Sequence, residues 1–369
     1  MTGSDAPAIR SLLWLRVLVL MLVIVNVPQL RSPEAERMRE IVAAPGRPYR
    51  DVEIEYPIGD LPLIGAVGSN GSDGARIALA LIAFTADLVA FSAIRRGWGR
   101  AAATRYLLYG VPLLVFIYRR SDLVSVALAA VAFAYVRRGR DRFGGAALGV
   151  ATLVKLWPVV LAPALLVARR FRAFAAFAAT LGVGVAGWIL VGGMPALTQV
   201  TSFRGATGWE LESMVGAVVW ARTGRYRFEA GANRTGSVPG WSKAVLLAIL
   251  VAALVAIWRR ARVRAVDPAG LPALAAVASL LVVAPVLSPQ YLCWLLPWAA
   301  VGAAEDRGVG RLAVIPIALT GAIMAAWFSG VTHGHPSWSQ TALITRNVAL
   351  IVVPVAWLWR SRSGSLRAD

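Results

Sequence analysis

The chain is poor in several residue types on which soluble proteins rely. Its 369 residues include one cysteine, two histidines and only 15% charged residues. The lone cysteine, Cys293, cannot form an intrachain disulfide. The sequence also contains no Walker loop, zinc-finger spacing, dinucleotide fingerprint or serine-nucleophile elbow, and the missing Walker loop disfavours an ATP-driven pump.

Hydrophobic residues dominate instead. They make up 58% of the chain, and the mean hydropathy is +0.65. Apolar runs of roughly 15 to 20 residues recur from end to end, and this length crosses about 30 Å of hydrocarbon. The net charge of +19 comes from arginine clusters that close successive apolar runs, which is the positive-inside pattern. We therefore expect an all-α polytopic membrane protein with lipids as neighbours and no nucleic-acid partner.

The apolar runs predict a single integral membrane domain over residues 1–369. It has about twelve spans in the plasma membrane and both termini in the cytoplasm. The first run has a basic start but no small-residue cleavage pattern, so we interpret it as an uncleaved helix. The predicted spans are 11–27, 75–94, 103–118, 122–136, 143–155, 157–168, 173–191, 241–258, 270–287, 291–304, 311–328 and 343–359.

Two extracytoplasmic loops are too long to be simple connections. They are the first long loop, residues 28–74, and the second long loop, residues 192–240. Apolar residues at helical spacing predict a short amphipathic helix in each, over Glu34 to Val42 and over Glu210 to Arg222. We expect both helices to lie on the membrane surface with their apolar faces down.

The first long loop carries three acids in five residues, Asp51, Glu53 and Glu55, between two prolines. An extended chain would point all three to one side, where like charges repel. Such repulsion either raises the pKa of one carboxyl or recruits a cation. The motif thus suits a general base or a divalent metal site, with Asp51 and Glu53 as the candidate ligands. A solvated acidic loop offset by neighbouring arginines is the alternative.

Cations stand at the predicted outer ends of spans, against the positive-inside tendency. Arg119 and Arg120 precede Asp122 between two spans, and Lys155 is one of only two lysines. A phosphate or pyrophosphate headgroup at the interface would explain their placement. The alternatives are snorkelling to lipid headgroups, and a simple pairing of Asp122 with Arg119 or Arg120.

Four other polar positions are less informative. Asp87 lies within a predicted span, where acids are costly, and its role is open. Gln290 belongs to a polar break that also reads as a turn. His333 and His335 form a candidate metal pair near the end of the chain.

At these positions the chain resembles glycosyltransferase family 87, the polyprenyl-phosphate-mannose-dependent mannosyltransferases of actinobacteria with the GT-C membrane fold. The resemblance depends on an ordered set of passages. These are Gly46 through Pro57, Tyr118 through Leu123, Thr152 through Pro158, Leu287 through Pro297, and the shorter pair Arg204-Gly205 with Glu212-Ser213.

The resemblance implies transfer of a hexose, with mannose preferred and arabinofuranose as an alternative. The donor would be a polyprenyl phosphate sugar and the acceptor a cell-envelope lipid-glycan, outside the cytoplasm. No organic cofactor is implied, and a divalent metal stays open. The implied residues are Asp51, Glu55 or Glu34 as the base, Arg119, Arg120 and Lys155 for the donor phosphate, and Tyr49, Asp122, Glu212, Gln290 and Tyr291 for substrate contacts.

The sequence departs from the family in one place. Relatives usually carry an Asp soon after the first span, where this chain has Ser32-Pro33-Glu34. Asp51 and Glu55 are therefore the first candidates for the base, with Glu34 as the reserve candidate at that position; otherwise activity is altered or lost. Two other functions remain as alternatives: a lipid-linked sugar transporter or flippase, and a non-catalytic scaffold for envelope assembly.

Overall fold

The computed structural model describes residues 5–26, 32–202, 205–328 and 336–360. Arg204, His333 and His335 lie outside these residues. The α-helices are, in chain order, α1 (Asp5–Val25), α2 (Pro33–Ala43), α3 (Leu61–Gly68), α4 (Ser72–Gly110), α5 (Leu114–Ile117), α6 (Asp122–Arg137), α7 (Asp141–Val154), α8 (Ala162–Val167), α9 (Phe171–Gly192), α10 (Pro195–Ser202), α11 (Met214–Thr223), α12 (Gly240–Arg264), α13 (Leu271–Val283), α14 (Leu296–Glu305), α15 (Arg307–Leu312), α16 (Val314–Phe328) and α17 (Pro336–Arg360).

Within the described ranges, six helical segments are long and apolar enough to cross a membrane. They are Pro7–Val25, Ser72–Ile117, Phe171–Gly192, Gly240–Arg264, Arg307–Ala326 and Trp338–Trp359. The protein is thus a multi-pass membrane protein. The structure also has a helix at each of the remaining predicted spans. Of these helices, α6, α7 and α13 have only 16, 14 and 13 residues, fewer than the roughly 20 residues of a typical membrane-spanning helix. The total of about twelve spans and the GT-C architecture stay predictions.

Two predicted spans, 75–94 and 103–118, belong to one kinked helical run. The helix α4 has 39 residues and is kinked at Gly99, whose φ of 86° lies in the left-handed region. Glycine adopts this conformation without the Cβ clash that other residues meet. The kink lets one helical run serve as two differently directed segments.

Asp87 is an acid buried in the bundle core, where it is 1% exposed. Its carboxylate accepts hydrogen bonds from Arg16 Nε at 2.8 Å, Tyr106 Oη at 2.6 Å and Tyr118 Oη at 2.8 Å. A buried charge is tolerated where an opposite charge and hydrogen bonds compensate it. Asp87 therefore joins α1 to α4 and to the segment after α5, which gives this residue a structural role.

The first amphipathic helix is confirmed as α2, but its environment differs from the expectation. Met38 and Ile41 are buried against α3 and α4, and Val42 is 42% exposed. The expected lipid contact is wrong for Met38 and Ile41, because α3 covers this face. Gly68 makes the close contact possible, since a Cβ there would collide with the Met38 carbonyl.

The structure of the second long loop shows that the expectation of an all-α protein is wrong. It contains a three-stranded antiparallel sheet in the order β1-β3-β2, formed by Trp209–Glu210, Ala232–Thr235 and Arg227–Glu229 respectively. Ala230 and Gly231 both have positive φ, as a tight two-residue hairpin between β2 and β3 requires. Because Glu210 pairs in the sheet, the predicted second helix begins later, at Met214.

Candidate functional site

Lys155 lies where α7 ends and the chain reverses. Its extended backbone (φ −142°, ψ 136°) terminates the helix, and a 3₁₀ helix, Trp157–Leu161, begins with Pro158 in its first turn. The Lys155 Nζ atom lies 3.2 Å from Asp60 Oδ2 and 3.7 Å from Glu34 Oε1. It also stands 4.6 Å from the centre of the Tyr56 ring. The lysine is thus held by three side chains of the first long loop.

Glu34 is fixed by the start of α2. Ser32 caps this helix by accepting a hydrogen bond from the Ala35 amide, and its hydroxyl donates to the Arg119 carbonyl at 3.1 Å. The Ser121 amide donates to Glu34 Oε2 at 3.2 Å, and the Ser121 hydroxyl donates to Oε1. These bonds join the first long loop to the segment that carries the two predicted arginines.

Asp60 ends a 3₁₀ helix, Ile58–Asp60, and is fully buried. Gly59 permits this position, because a Cβ there would lie 2.6 Å from the Leu153 carbonyl carbon and 2.8 Å from the Val154 nitrogen. Burial raises the pKa of Asp60 to about 6, although the nearby Lys155 acts in the opposite direction. Its Oδ1 atom accepts no hydrogen bond from the residues that the structure describes.

Asp122 completes a group that we call the acid–lysine cluster: Glu34, Asp60, Asp122 and Lys155. Asp122 is 2% exposed and accepts a hydrogen bond from Trp294 Nε1 at 2.9 Å. It lies within electrostatic range of Lys155 and Glu34. Among the described residues, no ion pair within 4.0 Å joins Asp122 to Arg120, which acts on this carboxylate over a longer distance. The predicted pairing with Arg120 is therefore not a close one, and a pairing of Asp122 with Arg119 stays a prediction.

An aromatic wall borders this cluster. The Trp294 ring stacks on Trp157 at 5.1 Å and on Tyr291 at 4.3 Å between ring centres. The Tyr291 hydroxyl lies within electrostatic range of Asp122, Glu210, Lys155 and Glu34. Tyr291 therefore connects the acid–lysine cluster with the second long loop.

Arg120 is the least compensated cation beside the cluster. Its guanidinium lies 5.1 Å from the centre of the Phe116 ring, and no carboxylate of the described residues lies within 4.0 Å of it. It remains within electrostatic range of Asp122 and Glu212. Arg119 is 9% exposed and lies close enough to Arg120 for the two charges to repel.

The second long loop adds another buried acid, Glu210, at 6% exposure. Ser288 Oγ donates to Glu210 Oε1 at 3.4 Å, and burial together with Glu212 raises the pKa of Glu210 to about 7. Glu212 itself pairs with Arg346 of α17 at 2.9 Å, which ties the loop to the bundle. Gln290 is nearly buried, and its Oε1 atom accepts no hydrogen bond from the described part of the chain.

The three acids of the Asp51 motif do not share one side. Residues 48–52 form a tight turn, in which Asp51 accepts hydrogen bonds from the Arg47 amide at 2.8 Å and Arg47 Nε at 3.0 Å. These bonds lower the pKa of Asp51. Glu55 pairs with Arg37 at 3.0 Å, and Glu53 is exposed. The expected row of repelling carboxylates is therefore wrong, because two of them have separate arginine partners.

The metal alternative receives no geometric support from this motif. Across the described residues, no group of three or more His, Cys, Asp or Glu side chains is arranged to hold a metal ion. Tyr49 belongs to this turn, but its side chain is buried: the residue is 1% exposed, and its hydroxyl donates to the Tyr56 carbonyl at 2.7 Å. Tyr49 thus supports the residue whose ring contacts Lys155.

Sequence reasoning missed Asp60, Ser121 and Glu210. Asp60 had one usable signal, a Gly-Asp pair directly before the short apolar run that became α3. Ser121 was visible only as part of the Arg119–Asp122 segment. Glu210 was assigned to a helix, which hid its contact with Ser288. None of the three contacts follows from spacing, since each joins distant parts of the chain.

Apolar helices long enough to cross a membrane and buried charges at the ends of α2, α7 and the Ile58–Asp60 turn define a membrane protein with a charged cluster at the ends of its helices. A model of glycosyltransferase family 87 matches residues 72–289, which is more than half of the chain. The chain belongs to this family and is a glycosyltransferase. The matched range includes Arg119, Arg120, Asp122 and Lys155, whereas Glu34 and Asp60 precede it. No curated protein matches the chain.

Proposed function

We propose that the protein transfers a hexose, mannose in the first instance, from a polyprenyl phosphate sugar to a lipid-glycan acceptor on the extracytoplasmic side of the plasma membrane. Family membership supports sugar transfer. The observation that carries the finer proposal is the position of Lys155 between Glu34 and Asp60, together with Arg120, which has no carboxylate of the described residues within 4.0 Å. A lipid-anchored phosphate donor needs such acids and cations together, near the end of a bundle.

Glu34 is the proposed general base. It is 6% exposed whereas Asp60 is fully enclosed, so Glu34 is the carboxylate of the pair that can meet an acceptor hydroxyl. In the reaction, Glu34 takes the hydroxyl proton, and the acceptor oxygen forms a bond to the anomeric carbon. The bond from that carbon to the donor phosphate breaks, and the phosphate leaves with the electron pair. Asp60 acts on Lys155 as a positioning residue.

Arg120 is the proposed principal ligand of the departing phosphate. Cations that face developing negative charge stabilise a transition state most strongly where water is excluded. Arg119 and Lys155 add positive charge nearby, although the charge of Lys155 is already offset by two carboxylates. Tyr291, Gln290 and Asp122 border the same region and are the proposed substrate contacts; Glu212 acts through its pair with Arg346.

A transfer assay tests the proposal. Purified protein is supplied with polyprenyl phosphate mannose and a lipid-glycan acceptor, and polyprenyl phosphate arabinofuranose is the parallel donor. We expect Glu34→Gln to lower kcat on the order of 10²- to 10⁴-fold. Asp51→Asn is the matched control, because Asp51 is an exposed acid of the same loop, and it should keep wild-type activity.

Two outcomes would contradict the proposal. If Asp51→Asn lowered kcat as much as Glu34→Gln, Asp51 would be the better candidate for the general base. Donor binding by the wild-type protein without turnover of either sugar would favour the scaffold alternative.

A transporter would need charged groups near the bilayer midplane and paired interrupted helices. Asp87 is one such charged group, but its carboxylate is occupied by Arg16 and two tyrosines. Lipoglycan profiling of a deletion strain would then identify the acceptor.

A further inference from the structure

A second charged hollow lies away from the acid–lysine cluster. It measures about 750 Å³ and is bordered by α4, α14, α15 and α16. Three arginines line it: Arg105 of α4, and Arg307 and Arg311 of α15. Nothing in the proposed transfer reaction uses these residues. We call them the arginine triad.

The triad has no counter-charge in the described structure. None of its three guanidinium groups lies within 4.0 Å of a carboxylate there. The Arg105 Nη1 atom is buried and has no hydrogen-bond partner in the same ranges. The adjacent acid, Asp306, accepts hydrogen bonds from the Gly308 and Val309 amides. A buried donor without a partner and three like charges on one hollow both favour a bound anion.

The remaining wall of the hollow is apolar and open to the surroundings. Leu108 is 55% exposed and Ile315 is 47% exposed, and Ala318 lies one turn further along α16. These residues belong to two of the six segments that are long and apolar enough to cross a membrane. Such side chains face hydrocarbon. The hollow therefore has a cationic end and an apolar side. A soluble anion would need only the cationic end.

The hollow is separate from the donor site. The helical run that contains Arg105 ends at Ile117, two residues before Arg119. The twelve residues from Arg105 to Ile117 span roughly 18 Å at a rise of 1.5 Å per residue. The Asp87 network lies between them, since Tyr106 follows Arg105 directly and Tyr118 precedes Arg119. On the sequence-based topology this end of the bundle is cytoplasmic, where anionic lipids collect beside basic residues.

We propose that the arginine triad binds the phosphate headgroup of an anionic membrane lipid, whose acyl chains follow Leu108, Ile315 and Ala318. Ordinary positive-inside arginines point into water and do not line a common hollow. The triad differs because its charges converge and one of its donors is buried. The proposal does not depend on the identity of the sugar or the acceptor.

A lipid titration of the purified full chain tests this site. The protein in neutral detergent is titrated with phosphatidylglycerol or phosphatidylcholine, and bound lipid is counted by native mass spectrometry. We expect the triple variant R105Q/R307Q/R311Q to bind phosphatidylglycerol on the order of 100-fold more weakly. The control R96Q/R100Q/R264Q removes the same charge from exposed arginines of the same predicted side, and it should bind like the wild type.

Three results would overturn the proposal. These are an equal loss in the control variant, equal binding of phosphatidylcholine, and displacement of the lipid by an equal concentration of glycerol phosphate. The last would identify a soluble anion as the occupant. Should the triple variant not fold, R307Q and R311Q alone carry the test, because both side chains are exposed. Each should weaken phosphatidylglycerol binding roughly fivefold, and wild-type binding by both would also overturn the proposal.

Discussion

Asp60 Oδ2 lies 3.2 Å from Lys155 Nζ, in a position where Asp60 is fully enclosed and Lys155 is nearly so. The carboxylate comes from the first long loop and the ammonium from the end of α7. Their contact therefore fixes the loop against the bundle and sets the direction of the lysine. Since Glu34 approaches the same Nζ atom, a change at Asp60 is expected to reach the proposed base through Lys155.

This contact predicts a pH dependence. The pKa of Asp60 is raised from 3.8 to about 6, so the carboxylate is charged above that pH and takes a proton as the pH falls through it. A protonated Asp60 no longer holds Lys155. We expect kcat/KM of the wild type to fall below about pH 6 and to be sustained above it.

The pH–rate profile of Asp60→Asn checks the assignment. This variant has no carboxylate to titrate, so it should be slower at pH 7 and should lack the limb near pH 6. An unchanged limb in Asp60→Asn would assign the titration to another group.

Gly59 offers a second test of the same contact. An alanine Cβ would come within 2.8 Å of the backbone of Leu153 and Val154, which cannot rotate away as a side chain can. We expect Gly59→Ala to push the Ile58–Asp60 turn off α7 and to separate Asp60 from Lys155. The measured results should be a lower kcat and a loss of stability of about 1–3 kcal/mol.

The matched control is Gly65→Ala in α3, where a Cβ meets nothing within 4 Å. Alanine is the better helix former, so Tm should be kept or raised slightly. If Gly59→Ala kept wild-type kcat and the pH 6 limb, the close approach of this turn would be irrelevant to catalysis.

The sequence predicted the helical membrane class well, because long apolar runs leave few other structures open. It also indicated Lys155, Arg120 and Glu34, which lie together. It ranked Asp51 above Glu34 because charge density along the chain drew attention to the acidic motif. In the folded turn, the Arg47 guanidinium offsets the charge of the Asp51 carboxylate. The periodicity of the sequence does not reveal such a pairing.

Asp60 was missed for a different reason. Its importance arises from contact between the first long loop and α7, and the Gly59-Asp60 pair before α3 does not reveal which residue the carboxylate contacts. The β-sheet of the second long loop was missed similarly. Its strands have two to four residues, and Glu210 stood at the start of the predicted helix.

Arg120 leads to a prediction about the donor. Because no carboxylate of the described residues lies within 4.0 Å of Arg120, its charge is available to a phosphate. Replacing a charged donor of hydrogen bonds costs about 1.5–3 kcal/mol, so Arg120→Gln should lower kcat/KM for the donor between about 10- and 100-fold. Arg120→Lys should recover part of this loss, and Arg47→Gln, an exposed arginine of the first long loop, should have no effect.

Kinetics with varied donor and acceptor separate this role from a structural one. A fall in kcat/KM confined to the donor would support phosphate binding. If Arg120→Gln changed the acceptor KM alone, or if Arg120→Lys were no better than Arg120→Gln, the assignment of this residue to the donor phosphate would be wrong.

The Arg16–Asp87 pair makes a prediction about stability. Both side chains are buried, and removing one partner leaves the other charge uncompensated, at a cost of about 3–5 kcal/mol. Asp87→Leu should therefore lower Tm sharply in detergent. The double variant Arg16→Met/Asp87→Leu should be less destabilised than the sum of the single variants, since no orphan charge remains. Asp51→Asn, at an exposed ion pair, should leave Tm unchanged. If Asp87→Leu kept the wild-type Tm but lost activity, Asp87 would have a direct functional role, and the structural reading of this network would be wrong.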